Sequence, residues 1–141
     1  MPIYMKYGDK IKGEVKGAYP GWVELTSAQF GVNRNVTTPR GNNSREGRAP
    51  SMTEVVVTKE QDSTSPLFFQ EALRGEGVEV VIDFVKTDLT ERYLRMTLKN
   101  CLVTSYQTSG HGGDSNTRPI ESMSLNCESI SYDTTSHPAG A

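Results

Sequence analysis

Between Val78 and Val85 the chain alternates with a period of two. Val78, Val80, Ile82 and Phe84 share one parity, and Glu79 and Asp83 share the other with Val81 and Val85. That period belongs to a strand with one buried face. After a turn at Thr87–Glu91 the alternation resumes over Tyr93–Tyr106. Leu94, Met96, Leu98 and Leu102 lie on one side, and Arg95, Thr97, Lys99 and Cys101 on the other. The two segments predict a long antiparallel hairpin. Met123, Leu125 and Cys127 repeat the pattern, then the apolar phase shifts to Ile130 and Tyr132. A one-residue shift predicts a bulge near Glu128–Ser129.

Trp22–Val36 reads as another long strand. Ala28, Phe30 and Val32 share one face, and Ser27, Gln29, Gly31 and Asn33 the other. Shorter strands are expected at Ile3–Tyr7, Ile11–Lys16 and Thr53–Glu60. About seven strands with long pairings predict a mostly β fold, a barrel or a sandwich.

One segment breaks the period. In Ser65-Pro66-Leu67-Phe68-Phe69-Gln70-Glu71-Ala72-Leu73-Arg74-Gly75, Ser65 is placed to cap a helix and Pro66 suits its first position. Gly75 is expected to close it in the left-handed conformation. At helical spacing Phe68, Phe69, Ala72 and Leu73 form the apolar face, and Gln70, Glu71 and Arg74 the polar one. Leu67 falls off the apolar face. A helix this short needs the sheet to hold it.

Two segments lack apolar pattern. Residues 37–51 carry Arg40, Arg45 and Arg48 against one acid, Glu46. A loop this long in a compact domain is functional or disordered. Residues 107–119 are rich in glycine. The expected organisation is a single β domain over 1–133, with a flexible tail over 134–141.

Composition narrows the function. The 141 residues suffice for one core, and a formal net charge of −2 gives no basic footprint for nucleic acid. No apolar run is long enough to cross a membrane as a helix. The start, MPIYMKYGDK, has no apolar core or small-residue cleavage site, so export by a classical signal peptide is not expected.

Candidate chemistry is thin. Glu60 and Asp62 precede the helix, where acids act more readily as capping groups than as a hydrolytic pair. His111, Asp114 and His137 lack metal-ligand spacing. Gly110, Gly112 and Gly113 lack the strand-to-helix context and the Lys-Ser/Thr of a phosphate loop. Cys101 and Cys127 are expected to be small, reduced and partly buried, with no histidine partner for a nucleophile. No catalytic residue, metal or cofactor is expected; the residues point to a structural or binding protein. A monomeric β-barrel that binds a ligand or acts as a secreted adhesin is the alternative.

Several of these stretches, in order, resemble the hemolysin-coregulated protein (Hcp) family, the tube protein of type VI secretion systems. They are Lys12-Gly13-Glu14, Gly21-Trp22-Val23-Glu24-Leu25 leading to Phe30-Gly31-Val32, and Ala49-Pro50-Ser51 leading to Glu54-Val55-Val56-Val57-Thr58-Lys59. Asp62 with Ser65 through Leu73, and Arg118-Pro119 through Asn126, complete the set. The resemblance implies an antiparallel β-barrel of two sheets with one short flanking helix, about 65–74, and an extended loop, about 37–51. It implies a structural subunit, not an enzyme, whose homohexameric rings stack into a tube. Contraction of a sheath expels the tube, tipped by a spike protein, with effectors carried in the lumen. The expected location is the cytoplasm before firing, then the medium or a target cell. By the same resemblance Gln29, and by parity Ser27, face the lumen. Arg40, Arg45 and Arg48 are expected at ring or inter-ring contacts. Leu67, off the helix's apolar face, or the Gln70–Glu71–Arg74 face beside it, is expected to meet a neighbouring subunit.

Overall fold

The computed structural model describes residues 1–33, 36–37, 46–47, 51–52, 54–88, 91–113, 117–134 and 137–138. Its strands are β1 (Ile3–Tyr7), β2 (Val23–Leu25), β3 (Ser27–Gln29), β4 (Val32–Asn33), β5 (Val36–Thr37), β6 (Glu46–Gly47), β7 (Ser51–Met52) and β8 (Val55–Glu60). The helix α1 (Ser65–Arg74) follows. Then come β9 (Val78–Val85), β10 (Glu91–Ser109), β11 (Ile120–Asn126), β12 (Ser129–Asp133) and β13 (His137–Pro138). The mostly β, antiparallel architecture with one short helix is as expected.

Every pairing is antiparallel, and the hydrogen-bonded order is β2-β1-β9-β10-β11-β8-β3. The 19-residue β10 belongs to two sheets. Its first half pairs with β9, β12 and β13, and its second half with β11. A second crossing lies at Thr26, between β2 and β3. β2 pairs with β1 while β3 pairs with β8, and the Thr26 N–H donates to the Thr58 carbonyl at 2.8 Å. The strand order therefore returns to its starting segment, as a barrel requires.

The core fills the space between the sheets. Met5, Val57, Val80, Ile82, Met96, Leu98, Met123 and Leu125 are all fully buried. The period-two faces of the sequence deliver these residues.

The alternation does not run unbroken through β10. Met96 and Leu98 point inward, but beyond them Cys101 and Val103 are the buried pair and Leu102 is exposed. The inward parity flips at Asn100, whose φ of 53° lies in the left-handed region, and the register to β9 shifts between Leu98 and Cys101. Asparagine tolerates this conformation better than most residues. Gly77 sits against Asn100, where a Cβ would overlap its side-chain amide. The phase shift expected at Glu128–Ser129 answers this flip rather than marking an inserted residue. Leu102 opposes Asn126 on one side of it and Lys99 opposes Ser129 on the other, in unchanged register.

Two strand expectations are revised. Ile11–Lys16 is not a strand; Ile11 makes one bridge to Tyr7, and the chain turns through Gly13–Gly21. That segment lays Tyr19 and Trp22 over the outside of the β1–β9 sheet. Tyr4 stacks on Tyr19 at 4.7 Å, and Trp22 meets Tyr19 edge-on at 4.9 Å. Val85, expected on an outward apolar surface, is therefore buried by its own chain, and so is Asp83. Arg95 and Tyr19 satisfy that carboxylate. Trp22–Val36 is divided among β2 to β5, and the barrel corner at Thr26 makes the first division, between β2 and β3. β4 pairs with β7, Val32 with Met52, and β5 pairs with β6, Thr37 with Glu46. In the stretch expected as tail, β13 pairs with the start of β10.

Candidate functional site

The outer face of the sheet β3-β8-β11-β10 is the surface on which Ser27 and Gln29 lie. Register fixes its composition. One row across the strands is Ser27, Thr58, Ser122 and Gln107; the next is Gln29, Val56, Ser124 and Ser105. These positions alternate with the buried Val55, Val57, Met123 and Leu125, so they point away from the core. None carries a formal charge. Ser27 and Gln29 are both exposed, as the strand parity predicts. The Ser27 and Thr58 hydroxyls are hydrogen-bonded, and the Thr26 and Thr58 hydroxyls lie 2.7 Å apart. Gln29 also borders a shallow depression with Phe30, Gly31 and Glu54. The two rows are mostly polar and carry no charged side chain, while Glu54 and Glu60 lie at the margins of the face.

Glu60 ends this face beside a cleft of about 390 Å³ rimmed by Glu14, Glu24, Glu60, Asp62 and Arg118. Of its carboxylates, Asp62 is engaged by the fold. Asp62 accepts hydrogen bonds from the Thr64 N–H at 2.8 Å, the Thr64 hydroxyl and Lys59 Nζ at 3.0 Å. Burial alone raises its carboxyl, but the hydrogen bonds from Thr64 and Lys59 outweigh that and hold it below the ordinary range. Asp62 therefore anchors the segment that enters α1. Among the described residues no cluster of His, Cys, Asp and Glu is grouped to hold a metal.

Lys59 and Glu121 occupy inward positions on β8 and β11, where the pattern otherwise places apolar residues. Lys59 Nζ donates to Glu121 Oε1 at 3.0 Å and to the Glu60 carbonyl at 2.8 Å. The Ser65 hydroxyl donates to the same Glu121 oxygen. This buried cluster ties the barrel end to the first turn of α1. The helix boundary residue is Thr64, not Ser65 as expected, because Ser65 turns inward to Glu121. Gly75 is extended (φ −70°, ψ 156°), not left-handed. Its N–H bonds the Glu71 carbonyl at 2.8 Å, and a Cβ there would meet Glu71. Space, not backbone handedness, selects glycine at that position.

The helix buries less than its apolar face predicts. Phe68 is fully buried and meets Tyr7 edge-on at 5.3 Å, and Ala72 packs partly against the core. Phe69 and Leu73, expected on the buried face, are 53% and 70% exposed. One step of helix, about 100°, carries Phe69 from the core to the flank, where it meets Tyr106. Leu67 is also exposed. Arg40, Arg45 and Arg48 lie outside the described residues. The sequence reading missed the Lys59–Glu121 and Asp83–Arg95 pairs. For the first pair the available signal was a charged residue at a buried parity, Lys59 after Val55 and Val57 and Glu121 before Met123 and Leu125.

The chain has many structural relatives. A "type six secretion system protein" superposes with a TM-score of 0.82 at 19% identity, over 93% of this chain and 82% of that one. Hcp1 from E. coli EAEC 042 gives a TM-score of 0.75 at 21% identity, over 98% and 97%. The extended sheath–tube complex of the PVC extracellular contractile injection system gives 0.68 at 12% identity, over 94% and 88%. No curated protein sequence matches. The family described as "Type VI secretion system effector, Hcp" matches residues 4–133. With nearly the whole chain inside that match and the sheets arranged as in its structural relatives, this protein belongs to the Hcp family of type VI secretion.

Proposed function

We propose that this chain is a structural subunit of a type VI secretion inner tube. Six copies close into a ring, the rings stack, and sheath contraction expels the tube with effectors in its lumen. The family match over residues 4–133, together with the likeness to a protein of an injection-system tube complex, carries this reading. A ring demands a head-to-tail interface in which two different surfaces of each copy meet.

The surfaces divide accordingly. The uncharged rows on the outer face of β3-β8-β11-β10 line the lumen, and Ser27 and Gln29 contact cargo there. A neutral, hydroxyl-rich wall suits passengers of varied charge, because it neither repels nor traps either sign. Leu67 lies in the contact with a neighbouring subunit. Arg40, Arg45 and Arg48 serve contacts within or between rings. The sheath, the spike and effector proteins are the partners outside the ring.

Light scattering of the purified chain tests the assembly. Closed rings of six copies of 15.5 kDa weigh about 93 kDa, and negative-stain images should show a central hole. A monodisperse monomer at high concentration overturns the reading and favours the monomeric binding barrel.

A further inference from the structure

Cys101 and Cys127 oppose each other where β10 passes from one sheet to the other. Leu102 pairs with Asn126 and Lys99 with Ser129, so the unchanged register sets Cys101 opposite Cys127. Both side chains turn inward, Cys101 fully buried in the main core and Cys127 packed against it. Both thiols are free, and each lies close enough to act on the other's ionisation. Directly opposed residues of an antiparallel pair have Cα atoms about 4.5–5.5 Å apart. A disulfide spans Cα separations of about 4.4–6.8 Å, so the bond needs little backbone movement.

We propose that Cys101 and Cys127 form an intramolecular disulfide strap across this joint, closed by a low-molecular-weight disulfide oxidant when the chain meets oxidising surroundings. Cys127, the more exposed, loses its proton to solvent and attacks a sulfur of the oxidant. The oxidant's S–S bond breaks, giving a mixed disulfide and releasing one thiolate. Cys101, once deprotonated, attacks the Cys127 sulfur and expels the second thiolate. The protein is oxidised by two electrons, and one oxidant disulfide is reduced to two thiols.

Burial pushes both thiols above the ordinary cysteine range, Cys101 further because the neighbouring sulfur adds to it. A scarce thiolate reacts slowly. The pair thus stays reduced in a reducing cytoplasm and closes over a longer stay outside. The strap would cross-link the strands beside Asn100, where the register of β10 to β9 shifts. The timing rests on the secretion reading; the bond itself does not.

The purified full chain, freed of reductant, is incubated with oxidised glutathione at pH 8.5. The expected product is about 2 Da lighter, resists alkylation at both cysteines and yields a single cross-linked peptide pair. Its Tm should exceed that of the reduced chain by roughly 5 °C. The Cys127→Ser variant should give no lighter species. Persistent glutathione adducts, cross-links between chains, thiols that remain alkylatable, or a linked chain that melts no later than the reduced one would each overturn the strap. Acid-trapped samples from cells and medium test the timing separately. A reduced chain in the medium, with the bond forming in vitro, overturns only that part.

Discussion

Lys59 and Glu121 face each other across β8 and β11 with Nζ 3.0 Å from Oε1, and each side chain is 1% exposed. Two charges sit at the end of an otherwise apolar interior, with the first turn of α1 hydrogen-bonded to them through Ser65. The second Glu121 oxygen is buried without a hydrogen-bond partner among the described residues. Such a pair owes its tolerance to mutual compensation, because the desolvation of either ion alone is prohibitive.

Removing one partner should therefore cost more than removing both. Lys59→Met is expected to lose about 3–5 kcal/mol of stability in urea titration, since Glu121 is left charged in the core. Adding Glu121→Leu should recover about 1–2 kcal/mol of it. A double variant as unstable as the sum of the two singles would show that the two side chains are not energetically coupled, and would sink the compensation argument.

Asp62 gives the fold an acid-sensitive contact. Its carboxyl is held below the ordinary range by Thr64 and Lys59, so the folded state favours the ionised form. The contribution is complete above the unfolded value, about 3.9, and is lost as pH falls through the lower folded value. The urea midpoint of the native chain should exceed that of Asp62→Asn at pH 6. The gap should narrow as pH drops below about 4. A gap that stays constant from pH 6 to pH 2.5 would remove the carboxylate from the argument.

Phe68 and Phe69 are adjacent and chemically identical, but only the first is inside. Phe68→Ala is expected to cost about 3–5 kcal/mol by opening a cavity beside Tyr7. Phe69→Ala should cost less than about 1 kcal/mol in the isolated subunit, where the ring is already half in water. Equal losses in the two variants, measured as monomers in denaturant, would contradict this division.

The alternating period made the hairpin of β9 and β10, the antiparallel class and the outward parity of Ser27 and Gln29 readable from residues alone. Parity is a local property, fixed by backbone geometry wherever a strand is regular. It failed at Leu102 and Cys101, because Asn100 inverts the phase and nothing in the side-chain pattern announces a single left-handed residue. It failed again at Val85 and Asp83, where a second layer from Tyr19 and Trp22 covers the outer face. Which loop covers a sheet depends on the path of the chain between strands, and periodicity does not describe that path. The helix face was read too widely because Phe69 and Leu73 lie within a plausible apolar arc, while the sheet beneath has room for Phe68 and little more. The charged core pairs escaped because a lysine at a buried parity reads as a pattern error until its carboxylate is found on the next strand.

Gln29 should respond to size rather than charge if the uncharged rows line a lumen. Gln29→Trp adds bulk to an exposed position on β3, so the ring should still assemble and melt within about 0.5 kcal/mol of the native chain. Effector retention, read by co-purification with the ring, should fall several-fold, by roughly 1 kcal/mol of lost contact. Retention unchanged by both Gln29→Trp and Ser27→Trp would move cargo contact off this face.

Leu67 tests the ring itself. It is 40% exposed on a helix whose neighbours Phe69 and Leu73 are more exposed still, and an isolated subunit has little need of three such side chains on one short element. Leu67→Asp places a charge where a neighbouring copy would have to desolvate it, a cost of several kcal/mol at a buried contact. The same change on the free surface of a monomer should be nearly silent. The variant is therefore expected to fold with an unchanged circular dichroism spectrum and a denaturant midpoint close to that of a native monomer. In light scattering its mass should collapse toward 15.5 kDa. Leu67→Met, which keeps the contact apolar, should leave the ring intact. Rings of full mass from the aspartate variant would take Leu67 out of the interface and leave its exposure as an ordinary surface leucine.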